Sequence, residues 1–423
     1  VAPIRIASHL LRSVLLVASG TAAAQVVVLA FSPLITRIYS PETFGLQGVF
    51  LSLISILSPA IALRYPMAII VASDEAEAAR LSRLAVMIAF GLSTLIGLVL
   101  LFADTQILTL LGAEALGAMV WFLPLALFCI ALQDVADFRA ARLETFRLVA
   151  VVTVVQAFIT NLARVLGGLA APVAGTLVMV TSVAPAVQAA LLTFGNRHRR
   201  APVPPMALGE ALGLLRRHRD FPLYRVPTDM VNAFAQVAPL LMLSVLFSPA
   251  AAGLYALARS VVNLPLNVIG SAVGSVYYSR LAEMYREGKP LLPTVLRATL
   301  VQFLVPGGAL LLVSFAFPPI FALMFGEAWR SAGEFAQWMA LWVVGMLANI
   351  PSVRALPVIR AQWIHLVFNG LILFGGLTGM MAGYWTRGTP IGAVAGYSIA
   401  TAVLYALQIL SYLHMVARHD RNR

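Results

Sequence analysis

The chain has 423 residues, 61% of them hydrophobic and only 11% charged, with a mean hydropathy of +0.91 and a formal net charge of +12. A soluble domain is about half apolar and about a quarter charged, so a water-soluble globular fold is excluded. Apolar stretches of about 20 residues, enough to cross a bilayer as helix, recur along the whole length. The strand-period alternation of an outer-membrane barrel is absent, and the composition reads as an all-α integral membrane protein.

Spans are predicted at 13–36, 44–72, 82–103, 118–138, 148–169, 173–195, 225–247, 251–279, 291–317, 331–350, 362–384 and 389–416. The first is read as a span and not a signal peptide, because no small-residue cleavage site follows it before the next span begins. Cys129 is the single cysteine, so no intrachain disulfide is expected. An even number of spans puts both termini on one side. With that side cytoplasmic, the inner segments carry 23 of the 29 basic residues, whereas the outer loops and helix ends carry only Arg37, Arg330 and Arg387. Basic residues collect on the cytoplasmic side of membrane proteins, which fixes the expected orientation and accounts for the positive charge without nucleic acid.

The longest segment outside the spans, 196–224, is basic and Pro-rich, and its middle is predicted to form a short amphipathic helix on anionic lipid. It separates an N-lobe, 1–195, from a C-lobe, 225–423. Each lobe holds one copy of a phrase: "SPETFGL" from Ser40 and "SPAAAGL" from Ser248, 208 residues apart. Both fall at the turn between the first and second helix of their lobe, and Ala24-Gln25 and Ala235-Gln236 precede them. Six helices per lobe make a parallel repeat, and substrate sites usually lie between such halves. The phrase itself is architectural: Pro ends one helix and Gly lets the next pack closely.

"ITRIYSPETFGLQGVFLSLISIL" followed by "ALRYPMAI", and "FPLYRVPTDMVNAFAQVAPLLMLSVLFSPAAAGLYALARSVVNLPLNVIGSAVGSVYYSRLAEMYREGK" further on, resemble bacterial polysaccharide-export proteins of the Wzx type. These belong to the multidrug/oligosaccharidyl-lipid/polysaccharide exporter superfamily. The resemblance covers most of the chain and is weakest in the last four helices. It departs at Pro66, where an acidic residue is expected after "LRY". It implies two six-helix lobes around a central cavity that opens alternately to each side, and an undecaprenyl-diphosphate-linked oligosaccharide as substrate.

Polar residues inside spans are costly and face protein or a wet cavity. Thr21, Gln25, Ser32 and Thr36 share one face of the first helix; Thr153, Gln156, Thr160 and Arg164 share one face of the fifth, with Asn161 beside it. The seventh presents Thr228, Asn232 and Gln236, and the eighth Tyr255, Arg259, Asn263 and Asn267. Shifted by 208, Gln47 matches Tyr255, Ser55 matches Asn263 and Leu51 matches Arg259. The plain reading of such stripes is helix–helix glue, and hydroxyls bond their own backbone readily. Arg164 and Arg259 resist it, because no in-span carboxylate offers itself, and a guanidinium facing a wet cavity suits a diphosphate. Arg64, near the inner end of the second span, adds a third cation. Asp134, Asp137 and Asp229 lie near cytoplasmic helix ends, where Arg139, Arg142 and Arg225 are expected to pair with them.

The expected substrate-binding residues are therefore Arg164, Arg259, Asn263, Asn267, Asn232, Gln236, Gln25, Gln156, Thr160 and Arg64. No nucleotide loop, metal-ligand cluster or nucleophile triad is present, so no cofactor and no catalysis are expected. The expected function is a flippase in the bacterial inner membrane, a monomer working beside a polysaccharide polymerase or export machinery. A cation-coupled small-molecule exporter of the same architecture is the main alternative. A polymerase or ligase would need larger outer loops, and a lipid II flippase usually has further helices.

Overall fold

A computed structural model describes residues 2–110, 114–199, 206–264, 266, 277–278, 280–359 and 361–421. Among them all regular structure is helical, and eleven helices are long and apolar enough to cross a membrane. These match eleven of the twelve predicted spans. Of the remaining one, predicted at 251–279, the helix Pro249–Val262 is described and much of the rest lies outside the described residues. Large apolar side chains stand exposed along the helices, with Phe102 at 85% and Trp385 at 77%. Such surface would be an aggregation hazard in water and is the ordinary outer face of a membrane protein.

The chain divides into two compact units, Val1–Val245 and Leu246–Arg423. The first contains α1 (Ala2–Ile38), α2 (Pro41–Ile61), α3 (Tyr65–Val71), α4 (Glu75–Leu110), α5 (Leu123–Arg142), α6 (Phe146–Ala170), α7 (Ala174–Gly195), α8 (Leu208–Arg217) and nearly all of α9 (Val226–Leu246). The lobe boundary expected from the sequence lies before α9, whereas the division by contacts falls after it. α9 and the π turn ahead of it, Phe221–Arg225, are tied to α3 and α5 by packing and by ion pairs described below. In this unit α1 runs along α6, and the two cross closely at Gly20, where a β-carbon would come within 2.6 Å of the Ala150 Cα.

The linker helix expected on lipid is present as α8, but it is docked on protein. Leu214 packs with Phe221 on the cluster of Ala68, Ala78 and Leu81, and Leu215 O accepts from the Tyr65 hydroxyl at 3.2 Å. Buried Glu77 anchors its end, with Oε1 at 3.2 Å from Arg217 and 3.4 Å from His218. Leu214 and Leu215 are half-buried in this contact, whereas Leu212 on the same helix stays 48% exposed.

The second unit contains α10 (Pro249–Val262), α11 (Leu292–Gln302), α12 (Gly308–Ser314), α13 (Phe317–Phe325), α14 (Arg330–Ala355), α15 (Gln362–Arg387) and α16 (Pro390–Arg421). Its core is α14, on which Ala336, Ala340, Val343 and Leu347 are fully buried at helical spacing against α10, α11, α13 and α16. α15 and α16 meet backbone to backbone. A β-carbon on Gly379 would fall 2.6 Å from the Gly396 carbonyl oxygen, so the small-residue ladder is a packing device.

The repeated phrase has the same structure in both units. Ser40 caps α2, its hydroxyl accepting from the Thr43 N–H at 3.3 Å, and Ser248 caps α10, accepting from the Ala251 N–H at 3.3 Å. Pro41 and Pro249 occupy the first helical position, where a missing N–H costs nothing. The proline thus starts the second helix of each pair, and does not end the first.

Candidate functional site

The second span, predicted as one helix over 44–72, is two. The Pro66 ring has no N–H to give the Ala62 carbonyl and would collide with it in a continuous helix. The chain turns through Leu63 and Arg64, both left-handed at φ 49° and 56°, and α3 restarts at Tyr65. A left-handed conformation costs about 1–2 kcal/mol per residue away from glycine. Arg64 recovers that in ion pairs: its Nε lies 2.8 Å from Asp229 Oδ2 and its Nη1 3.7 Å from Asp134 Oδ2. Arg225 approaches the same Asp229 oxygen at 3.3 Å. Two arginines and two aspartates from four segments form a charge-balanced quartet, half-buried except for the exposed Arg225. Arg64, expected as a substrate anchor, therefore faces two carboxylates.

The expected pairing of Asp134 and Asp137 with Arg139 and Arg142 does not occur. Residues five apart on a helix point to different faces. Arg139 and Arg142 reach instead across to Glu75 at 2.6 and 3.2 Å, while Asp137 accepts from Gln188 at 3.0 Å and from Gln133 at 3.4 Å. The expected pair of Asp229 and Arg225 is present.

A second cluster surrounds Arg164 on α6. Its Nη2 donates to Thr181 Oγ1 at 3.4 Å, the same hydroxyl receives Gln47 Nε2 at 2.7 Å, and its carbonyl accepts the Tyr39 hydroxyl at 2.9 Å. Among the described residues Arg164 has no carboxylate within ion-pair distance, and its Nε has no hydrogen-bond partner. One turn back, Thr160 and Asn161 are buried, and two turns back Gln156 is half-buried. The hydroxyls of the predicted stripes largely close on their own helices: Thr21 on the Val17 carbonyl, Ser32 on Val28 and Thr153 on Val149. Gln25 on α1 and Asn232 and Gln236 on α9 have exposed side chains.

In the second unit Arg259 is half-buried on α10 and interacts electrostatically with the phenols of Tyr255 and Tyr397. Asn263 closes α10, its N–H bonded to the carbonyls of Arg259 and Val261. Asn267 lies outside the described residues. A polar network that the sequence reading did not assemble joins α14, α15 and α16. Asn349 Nδ2 donates to Gln408 Oε1 at 2.7 Å, Gln408 Nε2 donates to the Tyr412 hydroxyl at 2.8 Å, and that hydroxyl meets His365 Nδ1 at 2.9 Å. The network borders a cavity of about 490 Å³ that Arg354 and Asn369 also line. Buried amides in apolar spans were its only sequence signal, and they lie on helices where no charged residue drew attention.

Chemically, these clusters offer hydrogen-bond donors, acceptors and cationic groups inside spans. Among the described residues no group of three or more His, Cys, Asp or Glu is placed to hold a metal ion.

A family described as "Polysaccharide biosynthesis protein" matches residues 34–334. No curated protein matches the chain. Several solved structures do. A lipid II flippase, MurJ, in an inward closed conformation superposes with a TM-score of 0.73 at 11% identity, over 96% of this chain and 90% of that one. An inward-facing multidrug resistance MATE family transporter of the MOP superfamily gives 0.71 at 15% identity, over 92% and 94%. A variant of the Vibrio cholerae MATE transporter VcmN gives 0.58 at 16% identity, over 98% of each chain. At such identities the likeness shows the fold alone, a two-lobe all-helical membrane architecture.

Proposed function

Because the chain belongs to the polysaccharide biosynthesis protein family, we propose that it is a Wzx-type flippase, a transporter and not an enzyme. Its cargo is an undecaprenyl-diphosphate-linked oligosaccharide, moved by alternating access from the cytoplasmic to the periplasmic leaflet of the bacterial inner membrane. The product would feed assembly of a surface polysaccharide such as O-antigen, lipopolysaccharide or exopolysaccharide, with both termini of the protein cytoplasmic and a polymerase or export machinery downstream. The family match over 34–334 carries this reading.

The residues support the cargo's two chemical halves. Arg164 is an in-span guanidinium with no carboxylate partner among the described residues and with Nε still unspent. Charge-assisted, paired hydrogen bonds to diphosphate oxygens are what such a group makes best. The amides and phenols around the cavity of the second unit supply donors and acceptors of the kind sugar hydroxyls need. A headgroup with two negative charges leaving an inside-negative cell gains about 4.6 kcal/mol per 100 mV, so potential alone favours export. The alternative, a cation-coupled small-molecule exporter, draws support from the Asp134 and Asp229 carboxylates, whose protonation would unbalance the quartet around Arg64.

Binding separates the two readings. Undecaprenyl diphosphate bearing a short oligosaccharide is titrated onto the detergent-solubilised protein and followed by tryptophan fluorescence, beside a lipophilic cation. The flippase reading expects saturable binding of the glycolipid, weakened about 10–100-fold in Arg164→Gln by loss of a charged hydrogen bond. Binding of the cation with none of the glycolipid would overturn it.

A further inference from the structure

Between α4, α5 and α7 the first unit carries a groove of about 700 Å³ that belongs to neither polar cluster. Its walls are apolar, with Met87, Leu132 and Phe194, and it is wide because Ala186 and Ala190 of α7 put little into it. The docked helix α8 does not cover it, since α8 packs on the other side of α4 at Ala78 and Leu81. Two arginines line the groove at one end and no acidic residue does. Arg83 is exposed and has no ion-pair partner among the described residues.

Arg139 is the second arginine, only 5% exposed. Its Nη2 is held by Glu75 at 2.6 Å, but its Nη1 has no hydrogen-bond partner among the described residues. Glu75 must also neutralise Arg142, at 3.2 Å, so one carboxylate serves two guanidiniums. A long apolar trough ending in surplus positive charge and an unspent N–H donor matches one kind of molecule in a bilayer.

We propose that this groove is a binding site for an anionic phospholipid, with an acyl chain along Met87, Leu132 and Ala186 and the headgroup phosphate at Arg83 and Arg139. Basic pockets between membrane helices recognise acidic headgroups in this way. The site is independent of the transported cargo. It makes the first unit sensitive to the acidic-lipid content of the leaflet at its basic end.

The test measures lipid binding by native mass spectrometry and thermal shift on the whole protein in mild detergent, with phosphatidylglycerol, phosphatidylcholine and inorganic phosphate as separate probes. Wild type should prefer phosphatidylglycerol at least ten-fold over phosphatidylcholine and gain thermal stability from it. Arg83→Ala should cut that preference roughly five-fold, the contribution of one arginine near an acidic headgroup. Ala190→Trp, at an exposed position, leaves both charges in place but fills the trough, and should remove tight binding of either lipid. Equal binding of the two lipids by wild type would overturn the proposal. So would both variants keeping the wild-type preference, or inorganic phosphate alone giving the full stabilisation.

Discussion

Substituting Arg64 is the sharpest perturbation of the first unit, because it changes a charge and a strained backbone position together. The side chain is 23% exposed, and its partners Asp134 and Asp229 are 29% and 14% exposed. Removing one member of a fully buried ion pair costs about 3–5 kcal/mol, and of an exposed pair about 0–1 kcal/mol. Arg225 stays 3.3 Å from Asp229 and keeps one carboxylate partly neutralised. Arg64→Ala should therefore destabilise by about 2 kcal/mol, between those limits. Arg64→Gly removes the same charge but accepts φ 56° without strain, so it should be about 1 kcal/mol less harmful than alanine. A double-mutant cycle of Arg64→Ala with Asp229→Asn should return a coupling of about 1–2 kcal/mol, and the looser pair with Asp134 a smaller one. The assay is unfolding of the purified protein in mixed detergent micelles with rising SDS, read by tryptophan fluorescence. Alanine and glycine variants equal to each other and within about 0.5 kcal/mol of wild type would refute the reasoning.

Gly383→Leu should destabilise α15 against α16 by about 3 kcal/mol or more, since its β-carbon would meet the Gly392 backbone and neither chain can yield; the same SDS titration checks it. Glu77→Ala removes the acceptor of the Ser73 N–H at 2.6 Å and the anchor of Arg217 and His218, and should cost about 2–3 kcal/mol. Hydrogen exchange should then show faster exchange of amides over 208–217 as α8 undocks. Ser40→Ala and Ser248→Ala each lose one N-cap and should each cost about 1 kcal/mol; a large difference between them would deny the two copies a common structural role.

The spans were legible because hydropathy integrates over twenty residues, and no tertiary contact is needed to see that a segment prefers lipid. The break in the second span escaped the same reading. Pro66 sits in an otherwise apolar run, and averaging over the window erases a two-residue left-handed turn. The local cue was present in "LRYP", a charge and then a proline inside a would-be helix. Pairings fail for a related reason: nearness in sequence points Asp134 and Asp137 to Arg139 and Arg142, while Arg64 reaches Asp134 from the turn before α3 and Gln188 reaches Asp137 from α7. Arg164 was legible as a lone in-span cation; Thr181, which bonds its guanidinium, and Tyr39, which bonds its backbone carbonyl, were not, since each is ordinary alone. The Asn349–Gln408–Tyr412–His365 network shows the general case. Three helices contribute one or two polar side chains each, and only the packing makes them one site.

The proposed passage of a lipid-linked oligosaccharide across the bilayer is open to direct observation. Its most direct measurement is flipping in proteoliposomes. Undecaprenyl diphosphate carrying a short oligosaccharide is placed in the inner leaflet, and an externally added glycosidase reports arrival outside. Glycan cleavage should run well above that of protein-free vesicles, faster under an inside-negative potential, and be lost in Arg164→Ala that is still folded. Cleavage no greater than in protein-free vesicles, with or without the potential, would contradict it.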